Sequence, residues 1–220
     1  MLLRVATVLR DPCYPDYGRP KVFGIGLSRT GTTTLALALN MLGLHTLHWS
    51  NPLTGEVICD DDLTIFDAFT DTPISARFEE FYDRFPNSKF ILTVRTFDDW
   101  VRSMSALWRK TLGITEFEEL RSALSGSGAL RYGSEFCAIN RRLYFDHGSY
   151  REAYESHIER VRRFFSDKPA GRLLEFNIFA GDGWPKLCAF LGLEVLRVPF
   201  PWENRTSNAE VRGQPGPGAS

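Results

Sequence analysis

The 220-residue sequence predicts an α/β fold: a doubly wound, mainly parallel five-stranded sheet with helices on both faces. Three observations carry that prediction. Five short β-like runs punctuate the chain, helical apolar stripes fill most gaps between them, and a glycine- and hydroxyl-rich turn joins the first run to the first stripe. Strands alternating with single amphipathic helices require right-handed crossovers, and these produce a parallel sheet.

The runs are Val22 to Gly26, His45 to His48, Thr64 to Phe69, Lys89 to Val94 and Arg172 to Phe176. After the first, Leu35, Ala38, Leu39 and Leu42 recur at i, i+3, i+4 and i+7, and Gly43 ends the pattern. After the third, Phe78, Phe81, Tyr82 and Phe85 repeat that spacing before Pro86. After the fourth, Trp100, Met104, Leu107, Trp108 and Thr111 form another inward stripe, which Thr96 caps with Asp99 three residues on. The almost continuous apolar run "FILTV" suits a central strand buried on both sides. Ligands of such sheets bind beyond the carboxyl ends of the strands, which points to the loops after Gly26, Phe69 and Val94.

Residues 113–148, with "SGSGALRYGS", break the alternation and read either as a lid or substrate-side insertion or as ordinary surface helices. Tyr150 to Phe165 reads as a helix with arginines on its wet face. The expected organisation is an N-terminal extension (1–20), one α/β domain (21–205) and a flexible C-terminal tail (206–220) ending in "GQPGPGAS".

Composition narrows the function. A net charge of −1 supplies no basic field for nucleic acid, so any anion must be held by local arginines and the partners are expected to be small molecules. No apolar run approaches membrane-spanning length, and "MLLRVATVLR" is interrupted by Arg4 and Arg10, so no membrane association and a cytoplasmic location are expected. Cys13, Cys59, Cys137 and Cys188 lie far apart with no CxxC pair and read as reduced core thiols. Oligomeric state is open, with a homodimer allowed.

"GIGLSRTGTTTLALALNMLG" places backbone N–H groups and the positive end of a helix dipole at one point, an arrangement that suits a phosphate. Gly26, four residues and Gly31 match the P-loop frame, yet Thr32 and Thr33 follow where a P-loop has Lys and Ser or Thr. The only cation in the loop is Arg29, and "FILTV" ends in Arg95 rather than in an acid that would hold Mg²⁺. The P-loop-like loop therefore fits a nucleotide with a short 5′ anion, gripped by one arginine and hydroxyls, with no metal. The bland alternative is a Gly/Thr turn that merely caps a helix. In "ILTVRTFDDWVRS", Arg95 and Ser103 lie where they can converge on a second phosphate, although such an arginine also pairs with carboxylates and a helical serine is often only tolerated.

"LSRTGTTTL" resembles the 5′-phosphosulfate loop of sulfotransferases that use 3′-phosphoadenosine 5′-phosphosulfate (PAPS), and "RTFDDWVRS" resembles their 3′-phosphate segment. "LLEFNIFAGDGWPKLCAFLGLEVLRVPFPWENR" resembles the closing strand, helix and Pro-Phe-Pro segment of a soluble branch of that family, so the resemblance spans Lys21 to Arg205. It implies transfer of a sulfuryl group from PAPS to a hydroxyl or amine of a small acceptor, leaving adenosine 3′,5′-bisphosphate (PAP). Arg29 takes the place of the usual loop lysine as the catalytic cation. Thr30, Gly31, Thr32, Thr33 and Thr34 wrap the 5′ phosphate, while Arg95 and Ser103 hold the 3′ phosphate. Thr34 stands where many members stack a tryptophan on adenine, and "VRG" at 211–213 is only a faint echo of the family's C-terminal phosphate loop. Many members also carry a histidine base after the third strand. Here "FDAFTDTPIS" offers acids, so Asp71 is the base expected from the resemblance, with a turn or N-cap role as its plainer reading. His48 is the alternative base or a wall of the acceptor pocket, and Asp67 is a possible orienting group. The competing functions are an ATP-dependent small-molecule kinase with a degenerate P-loop and a non-catalytic nucleotide-binding protein.

Overall fold

The computed structural model describes residues 20–125 and 131–202. Cys13, Arg205, the 211–213 echo, positions 206–220, positions 126–130 and all of the N-terminal extension but its last residue lie outside the described residues. The described elements are β1 (Val22–Gly24), α1 (Thr32–Met41), β2 (Thr46–His48), α2 (Asp62–Ile65), β3 (Ala68–Thr70), α3 (Thr72–Ala76) and α4 (Phe78–Arg84). There follow β4 (Lys89–Thr93), α5 (Phe97–Leu112), α6 (Phe117–Ala123), α7 (Ser134–Asn140), α8 (Tyr150–Phe165), β5 (Leu173–Phe176) and α9 (Trp184–Leu191). A π-helical turn, Arg141–Phe145, continues α7, and a 3₁₀ turn, Ile178–Ala180, follows β5.

All five strands are parallel, in the order β2-β3-β1-β4-β5. Successive side chains alternate between the two faces, as strand geometry requires. Phe23, Phe69, Phe90 and Leu92 point to one face and pack with Phe78, Phe81 and Phe85 of α4 and with Val161 and Phe165 of α8. Val22, Ala68, Ile91 and Phe176 point to the other and pack with Leu35, Ala38 and Leu39 of α1 and with Trp184, Leu187 and Cys188 of α9. Each fully buried Phe or Leu contributes about 1.5–3 kcal/mol of transfer free energy, so the predicted stripes of α1 and α4 account for much of the driving force.

A third apolar cluster, away from the sheet, explains the break in the alternation. Trp100, Met104 and Trp108 of α5 meet Leu120, Cys137, Leu143, Tyr144 and Phe145, so the described helices between 113 and 148, α6, α7 and the π-helical turn, pack onto α5 by their own core. Thr96 caps α5 as expected, accepting from the Asp99 N–H.

Two local expectations are corrected. The third strand does not begin at Thr64: Asp62 accepts from the Cys59 N–H (3.0 Å) and from Asn51 Nδ2 (2.7 Å), and this buried carboxylate starts a helical turn that delays β3 to Ala68. Asp67 therefore precedes the strand, where its carboxylate accepts from the His45 N–H (3.0 Å). Cys59 is exposed rather than a core thiol, whereas Cys137 and Cys188 are buried, and all three are free. Among the described residues, no helix is long and apolar enough to cross a membrane, and no group of three or more His, Cys, Asp or Glu is placed to hold a metal ion.

Candidate active site

β1 lies between β3 and β4, so the strand order reverses there and the loops beyond the carboxyl ends diverge around a crevice. That crevice is a cavity of about 390 Å³. Gly26 opens the loop after β1. A Cβ there would lie 2.0 Å from Thr93 Oγ1 and 2.5 Å from the Thr93 carbonyl, so only glycine lets the chain leave β1 this close to β4. Gly31, at φ 102°, then turns the chain into α1 with no side-chain cap and no acidic residue in the first turn. The first-turn N–H groups of a helix have no intrahelical partner. Gly31, Thr32, Thr33 and Thr34 line the cavity, so that end of the helix and its dipole are available to an anion.

Arg29, Arg95 and Ser103 meet at one side of this cradle. Arg29 Nε donates to Ser103 Oγ (2.9 Å), which leaves the Nη fork for a ligand, and Arg95 Nη1 donates to the Arg29 carbonyl (3.4 Å). The Arg95 guanidinium stacks on Phe179, 4.1 Å from the ring centroid, and its Nε is buried without a partner. Desolvation holds the Arg95 pKa below the usual arginine value; Asp99 opposes the shift, while Arg29 and Arg102 add to it. A buried guanidinium with an unpartnered donor beside a second arginine costs stability unless an anion completes it.

The opposite side of the cavity carries the acid and the imidazole. Asp71 follows β3 at φ 84°, a left-handed backbone that costs a non-glycine residue about 1–3 kcal/mol and that clusters at functional sites. Its Oδ1 accepts from the Thr72 N–H (2.8 Å), Thr72 Oγ1 (3.0 Å) and Ser28 Oγ (2.5 Å). The N-cap role is thus real, and it uses only one carboxylate oxygen. The other, Oδ2, lies 3.4 Å from His48 Nε2. His48 Nε2 also lies 3.2 Å from Thr33 Oγ1, and Nδ1 lies 2.8 Å from Thr70 Oγ1. A proton on Nε2 suits both neighbours: it points at the carboxylate, and Nδ1 accepts from the Thr70 hydroxyl.

Thr30 stands apart from the rest of the loop. Its hydroxyl donates to the Leu27 carbonyl (2.6 Å) and meets Thr93 Oγ1 (2.6 Å), its N–H is bonded to the same carbonyl (3.2 Å), and it is 1% exposed. It shapes the loop from below; the cavity wall is formed by its neighbours.

Sequence reasoning missed Ser28, Thr72, Tyr144 and Phe179. Ser28 is fixed at every polar atom. Its N–H donates to Tyr144 Oη (3.1 Å), its carbonyl accepts from Trp100 Nε1 (2.9 Å), and its Oγ bonds Asp71 and contacts Thr72 Oγ1. Burial pushes the Tyr144 phenol up to about 12, with the Asp71 charge adding to the shift, so the group stays neutral beside the carboxylate. Ser28 and Thr72 sit in the very loops flagged as strand ends, and that position was the available signal. Tyr144 had none, because its partner lies 116 residues away.

The loop, the two arginines and the acid–imidazole pair thus converge on one cavity at the carboxyl ends of the parallel strands. Residues 21–209 match the sulfotransferase domain family, and the chain belongs to that family. It is also similar to "Ava biosynthesis cluster protein M" of Aspergillus versicolor, with 28% identity over 230 residues covering 87% of this chain and 83% of that protein. The protein is a transferase of the sulfotransferase family.

Proposed function

We propose that the enzyme transfers a sulfuryl group from PAPS to a hydroxyl or amine of a small-molecule acceptor. One observation carries this reading: an uncapped, acid-free helix N-terminus shares a cavity with two arginines, one of which keeps a buried, unpartnered Nε. That donor set fits an anion at two places. The first turn of α1 and the Nη fork of Arg29 would hold the 5′ end, and Arg95 with Ser103 the 3′ phosphate.

PAPS supplies an electrophilic sulfuryl group on a phosphate leaving group. Transfer of this kind passes through a loose transition state, in which positioning and charge stabilisation do most of the work. Arg29 offers a planar fork to the charge that develops on the leaving phosphate. Asp71, with Oδ1 tied down by three donors, presents Oδ2 as the base that takes the acceptor proton. His48 orients that oxygen from the far side.

Calorimetric titration with PAP, run beside ATP with Mg²⁺, tests the reading. Micromolar or tighter binding of the bisphosphate with weak ATP binding is expected. A preference for ATP would favour the degenerate-P-loop kinase, and PAP binding with no turnover on any acceptor would favour a non-catalytic binding protein.

A further inference from the structure

A second cavity shares no lining residue with the one at the strand ends. It measures about 260 Å³ and is walled by Arg142 and Leu143 of the π-helical turn, by His147, and by Ser156, His157 and Arg160 of α8. No carboxylate lines it. Acids of the same segments are held elsewhere: Asp146 by Arg141, Glu155 by Arg151 and Glu159 by Arg163.

The donors of this pocket are left open. Arg142 has no ion pair and no side-chain hydrogen bond among the described residues, whereas Arg141, Arg151 and Arg163 around it are all paired. Arg160 gives its Nε and Nη2 to Glu79, which leaves Nη1. A whole guanidinium fork from the π-turn, with Nη1 and the Ser156 hydroxyl from α8, reaches a ligand from two elements. Such a set suits a tetrahedral oxyanion, and the arginine fork matches phosphate geometry. The volume is several times the roughly 30 Å³ of one water, so a phosphate fits with part of whatever carries it.

The pocket also lies behind the loop that follows β1, and two links join them. π-Helical turns are rare and occur frequently at functional sites. This one brings Arg142 to the pocket and, two residues on, Tyr144 to the Ser28 amide of the loop (3.1 Å). His157 is the second link: its buried ring lines the pocket, and its Nε2 donates to the Ile25 carbonyl, just before Gly26 (2.8 Å). Arg160 and His147 act on that imidazole electrostatically, so the positive field of the pocket reaches it. The His157 Nδ1 is itself fully buried, so an anion in the pocket acts on the ring through the field and without contact.

We propose that this pocket is a second anion site, for a phosphate group, free or carried on an ester, held by Arg142, Ser156 and the Nη1 of Arg160. Its occupancy pins the π-turn and so steadies the loop after β1. The site goes beyond sulfuryl transfer and does not depend on it.

The test uses inorganic phosphate and glycerol 3-phosphate, titrated by calorimetry into the wild type and into Arg95→Ala, which weakens the cradle at the strand ends. Binding with a Kd below about 1 mM is expected in both proteins. Adding Arg142→Ala to Arg95→Ala should weaken it at least about tenfold, the scale of one hydrogen bond to a charged group. Arg142 is exposed and unpaired, so its removal should leave the circular dichroism spectrum unchanged. Exchange of the Ser28 amide, followed by NMR, reads the link to the loop. Opening of its bond to Tyr144 undocks the π-turn, so phosphate at about ten times its Kd should slow that exchange about tenfold in Arg95→Ala and leave it unchanged in the double variant. Inorganic phosphate binding as tightly as the ester, or more tightly, sustains a site for the free anion; tighter binding of the ester sustains a site that also reads the carrier. Binding that is absent, or that survives Arg142→Ala, overturns the site. Unchanged Ser28 exchange in the phosphate-bound protein overturns the link. PAP binding is measured separately, so failure of the sulfuryl-transfer reading leaves each of these results standing.

Discussion

His157 lies directly beneath the loop that follows β1, and its titration gives a quantitative test of the packing. Its Nε2 donates to the Ile25 carbonyl (2.8 Å), while Nδ1 is buried without a partner beside Phe78. Burial lowers its pKa from 6.5 to about 4; the bond to Ile25 opposes the shift, and Arg160 and His147 reinforce it. The folded state therefore binds this proton less well than the unfolded chain. Stability from the neutral imidazole is fully present above about pH 6.5 and is lost as pH falls toward about 4. At about pH 5 the unfolded chain gains nearly 1.5 pK units of protonation that the folded state forgoes, about 2 kcal/mol. For a urea slope of about 2 kcal/mol/M, the midpoint should fall by about 1 M between about pH 7.5 and pH 5. Surface carboxylates also contribute over this range, so the decisive quantity is the difference from His157→Gln, which keeps a donor for Ile25 and cannot titrate. Wild type should lose about 2 kcal/mol more than the variant. Parallel pH profiles for the two proteins would refute the argument.

Two further predictions concern the site. Arg95→Ala should weaken PAP binding by about 1.5–3 kcal/mol, or about 10- to 150-fold in Kd; unchanged affinity in calorimetry would remove Arg95 from the 3′-phosphate site. Asp71→Asn keeps a good N-cap for α3 and should leave PAP affinity near wild type, while kcat falls by about 10²- to 10⁴-fold. Retained turnover in a steady-state assay would place the base elsewhere.

The architecture was legible because it is written in local periodicity. The stripes of α1 and α4 and the run "FILTV" each encode a buried face within one segment, and the two sides of the sheet collect those faces. The third strand was placed too early because Thr64 and Ile65 have strand-like side chains, while Asp62 holds them in a helical turn through partners at Cys59 and Asn51. In the cavity, Arg29, Arg95, Ser103, Asp71 and His48 could be singled out because each sits at or just beyond a strand end, or at a fixed step into the next helix. What joins them could not be read. The Arg29 bond to Ser103 spans 74 residues, and the aromatic pegs on Ser28 come from positions 72 and 116 residues further on. No local pattern records pairings of this span, and the Ser28 bond to Tyr144 forms only once the π-turn has docked.

That docking gives the enzyme an order of assembly. The loop after β1 and the Arg95–Ser103 segment both precede Tyr144 in the chain, together with four of the five strands. The Ser28 amide of that loop is tied to Tyr144, carried by the π-turn, and β5 completes the edge of the sheet later still in the chain. Long-range contacts of this kind form late, after the entropy of closing the intervening chain has been met. A nascent chain shorter than 144 residues would carry the loop without this anchor. Rigidity of the loop is thereby tied to completion of the helices that wall the far part of the cavity.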